Sequence, residues 1–135
     1  MLEQIEKFTE TGKSFVPKIS VRKGGQIGFS HGAIKKFGLA SKDFVVLYMS
    51  KDHSNVRAKI ALRFTNNQEE EGAIKLVKRT GNYFVSGKSF FDRYGIDYKS
   101  VSGSYDTEWY PDEQAAVIKI AEKKESKNIS QNPLD

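Results

Sequence analysis

The chain contains no cysteine. Disulfide scaffolds, thiolate metal sites and cysteine nucleophiles are thereby excluded. Histidine is nearly absent: His31 and His53 are the only two, and they fall in different predicted elements. Neither has an i+4 partner or a matched carboxylate cluster, so a metal site lacks ligands. No stretch approaches the roughly 20 apolar residues of a membrane span. The opening MLEQIEKFTETGKSF lacks the apolar run of a signal peptide. These absences lead us to expect a cytoplasmic protein without a membrane partner.

What is present suits an ordinary folded domain. A length of 135 residues gives one domain or two very small ones. Nine Phe, six Tyr and one Trp supply bulky core material. The net charge is +5, and it is unevenly sorted. Residues 18–42 hold Lys18, Arg22, Lys23, Lys35, Lys36 and Lys42 with no Asp or Glu. Residues 72–99 hold Lys75, Lys78, Arg79, Lys88, Arg93 and Lys99 against Asp92 and Asp97. The rest of the chain is therefore net acidic, and the molecule carries basic regions rather than an evenly mixed surface.

Hydrophobic spacing outlines the elements. Leu2, Ile5 and Phe8 predict a short amphipathic helix over 2–9, with a connector to Pro17. Residues 18–29 read as a hairpin that turns at Gly24-Gly25. Ser30 is a natural N-cap for a helix over 31–37, and Gly38 is a left-handed terminator. Residues 43–50 read as a strand buried on both faces. After a turn, residues 59–64 alternate with Ile60, Leu62 and Phe64 inward. Residues 65–72 (TNNQEEEG) form an acidic linker. Strands are expected again over 98–110 and 115–121, with a turn at Pro111-Asp112. Residues 122–135 are polar and expected to be disordered.

The second half echoes the first. At an offset of 56, Val21, Arg22-Lys23, Gly25, Gln26 and Ser30 correspond to Val77, Lys78-Arg79, Gly81, Asn82 and Ser86. At an offset of 57, Lys36-Phe37-Gly38-Leu39 corresponds to Arg93-Tyr94-Gly95-Ile96. Shared order beyond mere alternation argues for a duplication. The expected fold is α+β and strand-rich. Two ββαββ repeats, over 18–64 and 73–121, would form one compact barrel-like or curved-sheet domain with pseudo-twofold symmetry.

Catalytic motifs do not emerge. Gly87-Lys88-Ser89 lacks the spacing of a phosphate loop, since five residues separate Gly81 from Gly87 and Tyr83-Phe84-Val85 among them is strand-like. Ser30 beside His31 is explained by capping, and catalytic partners are recognised by geometry rather than adjacency. Glu69-Glu70-Glu71 lacks the interleaved ligands of a calcium loop. We expect no enzymatic activity and no cofactor. The basic pairs are the informative feature. Arg22-Lys23 and Lys78-Arg79 stand beside two hairpin turns, where side chains can reach phosphates; Lys35, Lys36, Lys88 and Arg93 flank them on the helices. Basic turns also keep sheet edges soluble, which is the plainer reading. Aromatics crowd the second half and could stack on bases or simply fill the core.

The first repeat resembles a known pattern. Gly25-Gln-Ile-Gly-Phe-Ser, a short helix, Phe37-Gly38-Leu39, then Asp43 and Phe-Val-Val-Leu-Tyr48 are similar to the swapped-hairpin DNA-binding domains of AbrB-type regulators. The tandem arrangement resembles MraZ-like proteins. Gln26, Ser30 and Ile34 stand where that family usually carries Arg, Pro and Arg. The resemblance implies interlocked hairpins and contact with duplex DNA through the basic hairpins. A second resemblance uses strands at 43–50, 57–64, 72–79 and 82–86 and a helix at 88–95. That order is similar to the single-stranded-DNA-binding Whirly fold. The implied partner is nucleic acid, duplex before single strand; a homodimer is a possible assembly. A protein-interaction module is the rival outside nucleic-acid binding.

Overall fold

The computed structural model describes residues 15–54 and 57–122. The helix predicted over 2–9 lies outside the described residues, as does the polar tail from residue 123 on.

The elements follow the alternation and the glycines. β1 (Lys18–Val21) and β2 (Gln26–Phe29) form the first hairpin. Gly25 makes its turn at φ +91°, a conformation that side chains with a Cβ rarely adopt. α1 (His31–Lys36) starts at Ser30, whose Oγ accepts the Ala33 N–H at 3.1 Å. It ends before Gly38, at φ +65°. β3 (Phe44–Met49) and β4 (Arg57–Thr65) follow. β5 (Ile74–Lys75) and β6 (Val77–Arg79) are separated by the buried Leu76. β7 (Asn82–Ser86) leads into α2 (Lys88–Arg93). The chain closes with β8 (Gly103–Asp106), β9 (Glu108–Tyr110) and β10 (Ala115–Ala121).

These strands make two antiparallel five-stranded sheets. The first runs β6-β7-β2-β1-β8, and the second runs β5-β3-β4-β10-β9. Two stretches, 74–79 and 103–110, pass from one sheet to the other. Apolar positions from both sheets meet in one core. Phe29 of the first sheet touches Phe64 of the second with ring centroids 5.7 Å apart. Phe37, just past α1, stacks on Trp109 at 4.4 Å. The inward alternation expected for Ile60, Leu62 and Phe64 is observed, and all three are buried.

Three details depart from the sequence reading. The strand at β3 is buried on both faces only in part: Val45 and Val46 are covered, but Tyr48, on the same face as Val46, is 45% exposed beside the Arg63 guanidinium. The stretch 98–110 is a turn followed by two short strands, as the chain changes sheets at Thr107. Ser86, the counterpart of the capping Ser30, does not cap α2. It stays in β7 opposite Gln26, and Gly87 is the N-cap, without a side-chain hydrogen bond. A Cβ on Gly87 would lie 3.0 Å from the Gly25 carbonyl oxygen and 2.9 Å from Ile27 Cδ1. The hairpin thus presses against this helix start, and the Gly87 N–H donates to Gly25 O at 2.9 Å.

Candidate nucleic-acid interface

The outer face of the first sheet positions the predicted arginines. Strand alternation sends Ile19, Val21, Ile27 and Val85 inward. The outward row across the sheet reads Val77, Phe84, Gly28, Ser20 and Ser104, each opposite the next. This surface is small and polar around one aromatic ring.

The two hairpin turns lie at opposite ends of this sheet, because β2 and β7 run antiparallel with Gln26 opposite Ser86 and Phe29 opposite Tyr83. Their arginines nevertheless converge. Arg22 Cζ lies 5.4 Å from the centre of the Phe84 ring, and Arg79 Cζ lies 5.8 Å from it. A guanidinium over an aromatic face gains from the ring quadrupole. Arg22 also donates to Asn82 Oδ1 at 2.8 Å and to Gln26 Oε1 at 3.4 Å. The two amide side chains in corresponding places of the sequence thus hold the same arginine. Gly28 leaves room for it: a Cβ there would sit 2.8 Å from Arg22 Cζ. Neither arginine has a carboxylate partner among the described residues. An anion approaching this face would meet two oriented, uncompensated guanidinium groups.

Other predicted cations divide by place. Lys23 is exposed at the first turn. Lys88 lies beside that turn, since a Cβ on Gly25 would lie 3.1 Å from Lys88 Cβ. Lys78 points elsewhere. Its Nζ donates to the Ala40 carbonyl at 2.9 Å and lies 3.6 Å from Asp43 Oδ1, so it ties β6 to the segment before β3. The basic pairs are therefore not equivalent in use. Lys35 and Lys36 are exposed on α1, and Lys35 Nζ stands 5.7 Å from the Phe15 ring centre. Arg93 is exposed on α2 and lies 5.8 Å from the ring centre of Tyr94. At the far edge of the sheet, Lys18 pairs with Asp106. The hydrogen bond from Lys18, then its charge, hold the Asp106 carboxyl below its ordinary value.

No known protein family, curated protein or solved structure matches this chain. The resemblance to AbrB-type proteins rests on the residues quoted for it, and that to Whirly-type proteins on element order alone. Among the described residues no three His, Asp or Glu side chains are grouped to hold a metal ion. No helix there is long and apolar enough to cross a membrane.

A second set of cations escaped the sequence reading. On the outer face of the second sheet, Lys59 stands directly opposite Lys119. Arg57 lies two positions along β4 on the same face, opposite Ala121. All three are exposed. The alternation in β4 and β10 places each lysine outward, but the register that brings them face to face is not written in either segment alone.

Proposed function

We propose that this protein is a non-enzymatic DNA-binding module that meets nucleic acid on the outer face of its first sheet. One observation carries the reading: Arg22 and Arg79 come from two different hairpins, converge on Phe84, and have no carboxylate partner among the described residues. Lys23 and Lys88 extend the positive surface at one end of the same sheet. Duplex DNA is the favoured ligand, with phosphates as the main contacts and counterion release as the main source of affinity. A single strand is the second reading. The observation that favours it is Phe84 itself, a partly exposed ring beside two guanidinium groups, where a base could stack.

The same reading includes a duplicated architecture. In its support, the corresponding strands β2 and β7 are neighbours at the middle of the first sheet, and Gly28 faces its own counterpart Phe84. In the second sheet β4 and β10 are neighbours. The buried series Ala58, Ile60, Leu62 recurs as Ala116, Ile118, Ile120, with Ile60 opposite Ile118. Two hairpins rooted at opposite ends of the sheet would then bring their arginines together at Phe84, within reach of neighbouring phosphates.

The test is affinity for duplex and single-stranded DNA over a salt series. If Arg22, Lys23 and Arg79 each neutralise one duplex phosphate, the triple alanine variant lowers the slope of log affinity against log salt by about 2.7, at about 0.9 per contact. Lys78→Ala leaves that slope unchanged, since its charge is already engaged with Asp43. A Phe84→Ala variant that loses only single-strand binding selects the second reading. An unchanged slope in the triple variant overturns both.

A further inference from the structure

The second sheet carries a like-charge pair that costs stability and has no structural return among the described residues. Lys59 and Lys119 are directly opposite on adjacent antiparallel strands. Such neighbours have side chains within roughly 5 Å at Cβ, and equal charges there repel. Arg57 adds a third cation on the same face. No ion pair to any of the three exists among the described residues. The strands could have placed a glutamate at either lysine and gained an attractive pair instead.

The cations border a depression of about 280 Å³ whose lining includes Ser50, Asp52, Arg57, Lys59, Lys119 and Ala121. Three positive groups there outweigh the single carboxylate of Asp52. Ser50 is held in place by the sheet: its N–H donates to Lys59 O at 2.9 Å, and its Oγ accepts the Lys59 N–H at 3.1 Å. The hydroxyl proton of Ser50 is thus left to point toward a ligand. An anion seated between the lysines would turn their mutual repulsion into two attractions.

We propose that this depression is a phosphoanion site, separate from the face of the first sheet and independent of its function. The ligand class is a phosphate ester or polyphosphate, whether a small free molecule or one phosphate group of a nucleic-acid backbone. Arg57, Lys59 and Lys119 supply the charge, and Ser50 supplies a neutral donor.

The experiment is thermal unfolding of the whole chain with inorganic pyrophosphate, against sodium chloride at equal ionic strength. With pyrophosphate at ten times its Kd, the melting temperature rises by about 5 °C beyond the chloride control. Lys59→Gln and Lys119→Gln each remove most of that rise, while Arg22→Ala with Arg79→Ala retains it. Both glutamine variants also melt no lower than the wild type without ligand, because each relieves the repulsion, so a lost response is not misfolding. A short oligonucleotide then identifies the source. If it displaces pyrophosphate, the natural ligand is a nucleic-acid phosphate; if it does not, the ligand is a small phosphoanion. A pyrophosphate effect no larger than that of chloride, or one that survives both glutamine variants, overturns the site. Neither result bears on Arg22 and Arg79, so it can fail while the reading of the first sheet stands.

Discussion

Arg22 shows how one side chain can be fixed by its neighbours' smallness. Its guanidinium reaches along the sheet to Asn82 only because Gly28 offers no Cβ beneath it. The clash created by Gly28→Ala is with the far end of a flexible side chain, so the strand tolerates it and stability changes by no more than about 1 kcal/mol. The arginine, however, must leave Asn82 and Phe84. The expected result is a melting curve near wild type and a duplex-binding salt slope lowered by about 0.9, as in Arg22→Ala. A Gly28→Ala protein that binds with the wild-type slope would show that the placement of Arg22 is irrelevant to binding. Sequence alone could single out Arg22 as a cation beside a turn. It could not reveal that Gln26 and Asn82, noted only as matching amides, both accept from this one guanidinium.

At the scale of elements, the two short helices are alike in length and unlike in how they begin. Ser30 satisfies the Ala33 N–H, accepts the Lys18 N–H at 2.8 Å and donates to the Val16 carbonyl. Ser86 makes no cap, since Gly87 has taken that place against the first hairpin. Ser30→Ala is therefore expected to cost about 1–2 kcal/mol, measured by urea unfolding, and Ser86→Ala to stay within about 0.5 kcal/mol. Equal losses would mean that Ser86 caps α2 in solution. The strands, the turn glycines and α1 were legible because each depends on local alternation or on a conformation that glycine favours. The cap of α2 was not, because a close approach between distant backbones decided it. The split of 98–110 into β8 and β9 was hidden for a similar reason: its two parts pair with different sheets.

For the molecule as a whole, the core ignores the midpoint of the chain. Ile19, Phe37 and Leu62 belong to the same buried cluster as Val85, Phe91 and Ile118. The central pairings of both sheets, β2 with β7 and β4 with β10, join one half to the other. Unfolding should accordingly be a single transition, with far-ultraviolet and near-ultraviolet circular dichroism coinciding. Two separable transitions would mean that 18–64 and 73–121 are stable alone. The sheet order itself was beyond sequence reasoning, since pairing between distant strands depends on which apolar faces meet in space.

The segment from Asn66 to Ala73 has a further consequence. It carries no strand or helix, and Asn67, Gln68, Glu69, Glu71 and Gly72 are exposed, while the paired ladder from Arg57–Ala121 to Arg63–Ala115 lies beyond it. A protease that nicked the chain at Gln68 would sever the only covalent tie between pieces that are already woven together. The cut product would migrate as one particle until denatured, and genes encoding the two fragments separately would supply a matched pair whose reunion restores the native arrangement.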